Sequence, residues 1–400
     1  MKREIIGCCL IGIGVLVFAS VLYLNTVNPG SPFIFSEKDM LSSIWKNYKK
    51  QYIEQGTGRA LDIQQASITT TEGEGYALLR AVWMDDKATF DQSFAWASSS
   101  LKRPKDSLFS WLYGKKVDGT YGVLTDRGGQ NTASDADTDI ALSLIFAYQR
   151  WGDPAYLATA QNMISDIWDL DVVSIKGIPY LASDDLERRS SDQVVVNPSY
   201  FSPAAYKIFA QYDTTHPWLS LVDSSYSLLT TVTQSALDTP TSAAIPPDWV
   251  TLSKKTGGII PNSGQNLTTN FSYDALRVPW RIALDYEWFG TDQSKIYLSR
   301  LGFLDSEWKA KGKLASVYGH DGRPVMADEV PAMYAGTLGY FMALDPASAA
   351  QIYKTKLLFL YDPDTNDWKS RLSYYDDNIV WFAIAMYNNL LPNLSKQPLK

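Results

Sequence analysis

Apolar residues recur at helical spacing along most of this chain. Ala141, Leu144 and Tyr148, for example, stand at positions i, i+3 and i+7, which places them on one face of a helix. At three further places a residue that can cap a helix is followed by proline, which favours the first helical position. These starts are Asp153-Pro154, Ser202-Pro203 and Asp345-Pro346. The pattern therefore predicts a mostly helical protein.

The same spacing predicts about twelve helical segments, whereas the alternation typical of strands is not sustained. The segments lie near residues 38–54, 72–84, 87–101, 135–151, 154–168, 203–212, 217–234, 279–289, 293–306, 331–343, 346–360 and 375–390. Twelve helices in one uninterrupted chain favour an all-α ring of paired helices, although a two-domain helical protein or a solenoid would give a similar pattern. No repeat of about 34 or about 40 residues is visible, which argues mildly against a solenoid.

The N-terminus differs in kind from the rest of the chain. An apolar run from Ile5 to Leu24 follows Lys2 and Arg3, and a helix of that length spans about 30 Å, the thickness of the hydrocarbon core of a bilayer. We expect residues 1–25 to form an uncleaved membrane anchor, with its two basic residues in the cytoplasm and the remaining chain outside. A cleaved signal peptide is the alternative, but the end of the run lacks a good small-residue cleavage site.

A short linker is predicted after the anchor. Residues 26–35 contain two prolines and a glycine, which favour an irregular connection. The following residues, 36–400, contain no low-complexity stretch, and we expect them to form a single monomeric functional domain.

The composition limits the kinds of chemistry that this chain can carry out. Lys and Arg total 36 and Asp and Glu total 43, which gives a net charge of −7, so the chain lacks the basic excess typical of nucleic-acid binding. The histidines, His216 and His320, are far apart, and Cys8 and Cys9 both lie in the apolar run. A multi-histidine metal site is thereby excluded, and so is cysteine chemistry in the remaining chain. We expect no metal or cofactor, and acid–base chemistry carried by carboxylates.

Three acidic clusters are candidates for that chemistry. The first is Thr71-Glu72-Gly73-Glu74-Gly75-Tyr76, directly before a helical run. Glycines beside a carboxylate leave room for a ligand to approach the backbone. A glutamate at a helix N-terminus also has a purely structural interpretation, because it interacts favourably with the helix dipole.

The second cluster places Asp135, Asp137 and Asp139 at alternate positions where an apolar helix begins. Helix capping explains one of the three carboxylates, but like charges held together cost free energy unless something uses them. The spacing is similar to that of a calcium loop, but the glycine and the final glutamate of an EF-hand are absent.

The third cluster pairs Asp274 with Arg277, three residues apart at a turn that leads into a helix through Pro279. A structural ion pair is one interpretation. The other is a carboxylate that the arginine holds ionised and oriented for chemistry.

Several aromatic residues lie near these clusters in the sequence. They are Trp83, Trp96, Trp111, Tyr113, Tyr121, Tyr200, Tyr273 and Trp280. Two carboxylates combined with aromatic platforms are what glycoside hydrolysis requires, since one carboxylic acid protonates the leaving oxygen and one carboxylate activates water. For any single aromatic residue, packing in the core is the alternative.

Five sequence blocks, taken in order, resemble glycoside hydrolase family 8, which includes bacterial endo-β-1,4-glucanases and xylanases. The resemblance covers nearly everything after the apolar run, and its most specific part surrounds the second acidic cluster. The blocks span residues 58–62, 71–76, 133–151, 197–203 and 273–281.

The resemblance implies an (α/α)6 barrel and an inverting mechanism. By position in the family motifs, Glu72 is the general acid and Asp274 is the general base. Asp135 holds the sugar at the cleavage subsite in a distorted ring shape. Arg277 lies beside the base, and Tyr200 helps to place the attacking water.

Two physical expectations accompany this assignment. The carboxyl groups of an inverting pair lie about 6.5–9.5 Å apart, which leaves room for a water molecule. The general acid must be protonated near neutral pH, so its pKa must be raised by burial or by a neighbouring charge. We also expect the substrate to be bound by Tyr200, Arg277, Trp111, Tyr273, Asp137 and Glu74. The last of these departs from the usual family residue.

The substrate expected from the resemblance is a β-1,4-glucan, cleaved within the chain and outside the cytoplasm. The alternatives are xylan, chitosan or another extracellular polysaccharide. Asp274 favours the family branch that takes its base from this position, whereas many chitosanases take it from elsewhere. A non-catalytic polysaccharide-binding or synthesis-scaffold protein is a further alternative, which Glu72, Asp135 and Asp274 together argue against.

Overall fold

The computed structural model describes residues 36–264 and 266–396. The predicted membrane anchor (residues 1–25) and linker (26–35) lie outside these residues. In the part of the chain that is described, none of the helices combines the length and the apolar character needed to cross a membrane. The chain divides into a small unit that ends at Met40 and a larger unit, Leu41–Lys400, and the candidate site lies in the larger one.

The described residues are mostly helical. They form fourteen α-helices: α1 Glu37–Tyr52, α2 Thr71–Trp83, α3 Lys87–Ser100, α4 Ser134–Trp151, α5 Pro154–Asp171, α6 Asp185–Arg189, α7 Pro203–Tyr212, α8 Trp218–Gln234, α9 Arg277–Phe289, α10 Asp292–Leu298, α11 Gly302–Lys311, α12 Pro331–Leu344, α13 Pro346–Ile352 and α14 Tyr374–Tyr387.

Six of these helices, α2, α4, α7, α9, α12 and α14, pack against one another in chain order. The last returns to the first, because Arg80 of α2 donates to Asp377 of α14 over 3.0 Å and Tyr76 packs edge-on against Phe382. Burial on all sides explains why α12 and α14 are apolar around most of their circumference.

A second set of helices packs outside the first. Helices α3, α5, α8, α10 and α13 each contact the inner helix that precedes them in the chain. In the larger unit, α1 contacts α14, where Trp381 Nε1 donates to the carbonyl of Leu41 over 3.2 Å. An inner ring surrounded by an outer ring is consistent with the expected (α/α)6 barrel.

Within the described ranges, twelve short antiparallel strands occur between the helices. They are β1 Thr69–Thr70, β2 Leu112–Lys115, β3 Tyr121–Val123, β4 Val172–Ile175, β5 Ile178–Leu181, β6 Gln193–Val196, β7 Val250–Ser253, β8 Ile259–Ile260, β9 Val317–Tyr318, β10 Pro324–Met326, β11 Tyr361–Asp362 and β12 Asp367–Trp368. Two sheets, β1-β2-β3 and β6-β7-β8, flank the candidate site. Strands of two to four residues are too short to give a readable alternation in the sequence.

The helical pattern located most of the helices but missed two interruptions. The segment predicted near residues 293–306 is two helices, because the chain leaves α10 at Ser299 and α11 begins at Gly302. The segment predicted near 346–360 is α-helical only to Ile352, after which a π-helical turn spans Tyr353–Leu357. Apolar spacing persists through both interruptions, so it does not reveal them.

Candidate active site

Arg277, at the start of α9, joins all three acidic clusters. Its side chain is buried, and its Nη1 atom donates to a carboxylate oxygen of Glu72 and, over 3.2 Å, to Oδ2 of Asp135. Its Nη2 atom donates to Oδ1 of Asp274 over 2.7 Å and to Oγ of Ser199 over 3.0 Å. One guanidinium group thus holds three carboxylates whose residues are widely separated along the chain.

Glu72 occupies the first turn of α2. The helix is capped by Thr70, whose Oγ1 accepts from the backbone N–H of Gly73 over 3.2 Å. Gly73 has no room for a side chain, because a Cβ atom there would lie 1.9 Å from the hydroxyl oxygen of Tyr374. The glycine therefore allows α14 to approach the helix start that carries Glu72.

The surroundings of Glu72 suit a proton donor. Burial raises the pKa of its carboxyl group, and the negative charge of Asp274 adds to that rise, while Arg277 opposes it. The side chain is still 29% exposed, so a ligand can reach it. A carboxylic acid with a raised pKa retains its proton closer to neutral pH.

Asp135 lies in the first turn of α4 and is buried. Its Oδ1 atom accepts from the backbone N–H of Ala136 over 2.8 Å, and its Oδ2 atom faces Arg277. Burial raises its pKa to about 7; Arg277 opposes this rise and Glu72 adds to it. Two carboxyl groups with raised pKa values therefore contact the same guanidinium nitrogen.

Asp274 precedes α9 and is braced from two sides. Besides its bond to Arg277, its Oδ2 atom accepts from the indole Nε1 of Trp249 over 3.0 Å. The side chain is 30% exposed, which leaves space for water beside it. A partly exposed carboxylate held in one orientation suits the role of a general base.

The neighbouring Asp248 fixes the loop that carries Asp274. Its Oδ1 atom accepts from the backbone N–H groups of Ser272, over 3.2 Å, and Ala275, over 2.8 Å. Its Oδ2 atom accepts from the hydroxyl groups of Ser272 and Thr268. Burial raises the pKa of Asp248 to about 7, and the charge of Asp274 contributes to that rise.

A cavity of about 460 Å³ lies on the side of the site formed by Tyr200 and Trp249. Its walls include Trp111, Tyr200 and Trp249, and it reaches Ala133, two residues before Asp135. The rings of Tyr200 and Trp249 meet edge to face with their centroids 5.8 Å apart, and the guanidinium of Arg277 lies 5.5 Å from the Tyr200 ring. Trp111 is oriented by its Nε1, which donates to the carbonyl of Gly128 over 3.0 Å.

Tyr273 extends the site beyond Asp274. It is exposed, and the hydroxyl group of Tyr375 donates to its carbonyl oxygen. The two tyrosine rings meet edge to face, 6.0 Å apart. Burial raises the pKa of Tyr375 well above its ordinary value, so this phenol is a neutral hydrogen-bonding group.

Glu74 and Asp137 occupy different surroundings from the other predicted site residues. Glu74 is fully buried, and its Oε1 atom accepts from the backbone N–H of Ala60 over 2.8 Å. Burial raises its pKa to about 8. Asp137 is also fully buried, and its Oδ1 atom accepts from the N–H of Phe109 over 3.2 Å. Neither carboxyl group is open to a ligand in this structure.

The predicted aromatic residues also fall into two groups, those buried in the core and those at the site. Trp83 and Trp280 are buried among other aromatic rings, as the core-packing interpretation expects. Trp249, Ser199, Asp248 and Tyr375 contact the site but were absent from the predicted set. Ser199 lies within the block 197–203 that carries the family resemblance, and the sequence signals for the other three are the pair Asp248-Trp249 after two prolines and the pair of tyrosines at 374–375. In the described residues, no group of three or more His, Cys, Asp or Glu side chains is arranged to hold a metal ion.

Comparison with known proteins identifies the family. Residues 21–311 match the model for glycosyl hydrolases family 8. The chain is 32% identical over 309 residues to Endoglucanase A of Acetivibrio thermocellus, which covers 74% of this chain and 60% of that protein. The chain therefore spans less than two thirds of that relative's length.

Solved structures show the same fold. An endo-1,4-D-glucanase from Vibrio fischeri ES114 superposes with a TM-score of 0.70 at 24% identity, covering 86% of this chain and 94% of that one. A beta-1,3-1,4-glucanase from Paenibacillus sp. X4 superposes with a TM-score of 0.71 at 21% identity, covering 92% and 94% respectively. With the family match extending over most of the sequence, the chain belongs to glycosyl hydrolase family 8.

Proposed function

We propose that this chain is an inverting, endo-acting hydrolase of β-1,4-glucan. The observation that carries the proposal is the joining of Glu72 and Asp274 by one buried arginine, each on a different guanidinium nitrogen. Such a clamp fixes an acid and a base relative to each other, which is what a reaction on two faces of a sugar ring needs. The names of the similar endoglucanases also support it.

Each carboxyl group has one task in the proposed reaction. Glu72, with its raised pKa, donates its proton to the glycosidic oxygen as the bond from that oxygen to the anomeric carbon breaks. A water molecule attacks the anomeric carbon from the opposite face, and Asp274 accepts the proton that the water loses. The reaction consumes one water molecule, leaves Asp274 protonated and Glu72 ionised, and resets by proton exchange with solvent.

The other residues of the site bind the sugar in this proposal. The rings of Trp111, Tyr200 and Trp249 supply flat surfaces for the C–H faces of sugar rings. Asp135 accepts hydrogen bonds from hydroxyl groups at the cleavage position, where bonds that strengthen in the transition state contribute several kcal/mol. The proposed site thus combines stacking surfaces with a carboxylate that accepts from hydroxyl groups.

Reducing-sugar release by the purified full chain tests the proposal. The substrates are carboxymethylcellulose, mixed-linkage β-glucan, xylan and chitosan, and Glu72→Gln is assayed in parallel. We expect the largest rate on a β-1,4-glucan and a loss of about 10²- to 10⁴-fold in the variant. Proton NMR of the first product then reports its anomeric form, and the α form is expected from an inverting enzyme. Equal rates for Glu72→Gln and wild type would overturn the assignment of the acid.

We further propose that residues 1–25 anchor the enzyme to the membrane, with the hydrolase outside the cytoplasm. The apolar run from Ile5 to Leu24 after two basic residues supports this arrangement. Fractionation of cells that express the full chain tests it: the chain should remain with the membrane in alkaline carbonate and be digested by protease added outside the cytoplasm. Recovery of a shortened chain in the soluble fraction would instead indicate cleavage.

A further inference from the structure

An aromatic ring stands exposed on the β2–β3 hairpin, outside the catalytic cavity. Tyr121, the first residue of β3, is 54% exposed and pairs with Lys115 of β2. Residues directly opposite each other in antiparallel strands project from the same face of the sheet. An aromatic ring and an ammonium group therefore share this open face.

A buried arginine lies behind the ring of Tyr121. The guanidinium carbon of Arg59 lies 5.4 Å from the centroid of the Tyr121 ring, 4.9 Å from that of Tyr113 and 5.7 Å from that of Trp96. The rings of Trp96 and Tyr113 also meet edge to face, 5.2 Å apart. The cation therefore holds three aromatic rings in one group.

Arg59 is itself fixed, so this group of rings is organised before any ligand arrives. Its Nε atom donates to Oγ1 of Thr69 over 2.7 Å, and its Nη2 atom donates to the carbonyl of Ser67 over 2.6 Å. The arginine is buried, whereas Tyr121 in front of it is open to solvent. A fixed ring loses little conformational entropy when it binds a flat ligand.

The same hairpin leads directly to the catalytic residues. Trp111, which lines the catalytic cavity, immediately precedes β2. Strand β2 pairs with β1, and β1 runs into the helix that carries Glu72. At about 3.3 Å per strand residue, Lys115 lies about 13 Å along the strand from Trp111. Tyr113 on β2 and Tyr121 on the paired strand β3 thus lie on the hairpin that begins beside Trp111.

We propose that Tyr121, with Trp96 and Tyr113 beside it, forms a second binding site for a β-glucan chain, which holds the polymer outside the catalytic cavity. This proposal rests on the proposed function. Sugar rings with equatorial hydroxyl groups present flat C–H faces that stack on aromatic rings, and the ammonium group of Lys115 is placed to donate to their hydroxyl oxygens. The open face of Tyr121 has this combination of a flat apolar surface and a flanking donor.

Retardation in native gels that contain hydroxyethylcellulose tests the site directly. The experiment uses the full chain with Glu72→Gln as the parent, so that the polymer is bound but not cut. Tyr121→Val removes the ring and retains a residue suited to a strand, whereas Tyr121→Phe retains the ring. Phe359→Val is the matched control, because Phe359 is 63% exposed in another part of the fold.

We expect Tyr121→Val to raise the dissociation constant for the polymer by about 3- to 10-fold, the range of one aromatic contact. Tyr121→Phe and Phe359→Val should match the parent. In the enzyme with Glu72 intact, Tyr121→Val should raise KM for the polymer more than KM for a short oligosaccharide confined to the cavity. Thermal unfolding of every variant identifies any loss of binding that is due to loss of the fold.

Different results separate this proposal from the proposed function. Retardation of folded Tyr121→Val equal to that of the parent would overturn the second site. The same holds if Tyr121→Val changes only the sedimentation of the chain, since Tyr121 would then contact a second copy. Failure of the wild-type enzyme to cleave any β-glucan would overturn the proposed function, and the gel would then report binding alone.

Discussion

Two arginines one helical turn apart on α9, Arg277 and Arg281, show how differently the same side chain is used. Both are buried. Arg281 gives both of its terminal nitrogens to one carboxylate, with Nη1 and Nη2 lying 2.6 and 2.8 Å from the oxygens of Asp139, which is also buried. Arg277 divides its nitrogens among three carboxylates, and two of those, on Glu72 and Asp274, are partly exposed.

The difference lies in the balance of charge. The pair of Arg281 and Asp139 is matched one to one and closed to solvent, so it has the properties of a structural ion pair. Around Arg277, three carboxylates share a single positive charge, and the excess negative charge favours retention of a proton. Accordingly, burial raises the pKa values of Glu72 and Asp135, and each is raised further by a neighbouring carboxylate. Raised pKa values of this kind are concentrated at functional sites, whereas a matched pair is typical of a structural role.

The largest effect is expected from Arg277→Lys. A lysine keeps the charge but offers one nitrogen, which cannot hold Glu72 and Asp274 on separate sides. Because both the proposed acid and the proposed base lose their orientation, we expect kcat/KM on the preferred β-glucan to fall by about 10⁴-fold. Initial rates measure this loss, and circular dichroism checks that the variant is folded. A folded variant that retains a tenth of the wild-type rate would contradict the proposal that Arg277 orients Glu72 and Asp274.

A smaller loss of kcat is expected when Glu72 is replaced, and almost none when Glu74, two residues further along the same helix, is replaced. Glu72→Gln removes the acidic proton, and we expect kcat to fall by about 10²- to 10⁴-fold. Glu74 has a pKa of about 8, so it is mostly protonated at pH 6, and glutamine is close to it in shape and charge. Glu74→Gln should therefore change kcat at pH 6 by no more than about threefold. Equal losses in the two variants would assign a chemical role to the buried carboxyl group.

Substitutions in the pair of Arg281 and Asp139 should alter the stability of the fold rather than the rate of catalysis. Arg281→Met leaves the carboxylate of Asp139 buried without its partner, and we expect the free energy of unfolding to fall by about 3–5 kcal/mol. Adding Asp139→Leu removes the unpaired charge and should recover most of that loss. Urea unfolding measures both variants. If the single variant unfolds at the wild-type urea concentration, Arg281 and Asp139 contribute nothing to the fold.

The sequence located the principal carboxylates but not the way in which they meet. Glu72, Asp135, Asp274 and Arg277 could each be singled out at a helix start. Arg277, however, reaches Glu72 across 205 positions and Asp135 across 142, and no local pattern carries that information. The spacing between Arg277 and Asp274 alone was short enough to be recognised as a pair.

Helix geometry explains why two predicted residues lie elsewhere. Successive residues in an α-helix are rotated by about 100°, so Glu74 points nearly away from Glu72, and Asp137 nearly away from Asp135. Four positions after Asp135 and Arg277, by contrast, Asp139 and Arg281 return to the same faces and pair with each other. A stricter use of the helical period would have predicted the second ion pair and separated Glu74 and Asp137 from the carboxyl groups that contact Arg277.

The smallest expected effect concerns Asp248, which lies behind the base rather than in the cavity. Burial raises the pKa of Asp248 to about 7, and the charge of Asp274 adds to that rise, so Asp248 is mostly protonated at pH 6. In Asp248→Asn the amide can still accept from the N–H of Ala275 and donate to a hydroxyl group near Oδ2. We therefore expect kcat/KM at pH 6 to change by no more than about threefold.

A control variant tests the support that Asp248 gives to the loop. Asp248→Ala leaves the N–H groups of Ser272 and Ala275 without their acceptor. The loop that carries Asp274 is then free to shift, and we expect kcat/KM to fall by about 10- to 100-fold. A rate for folded Asp248→Ala equal to that of wild type would mean that these hydrogen bonds do not hold Asp274 in place. A loss in Asp248→Ala alone would show that Asp248 supports the site through hydrogen bonds, whereas Asp139 supports the fold through a matched charge.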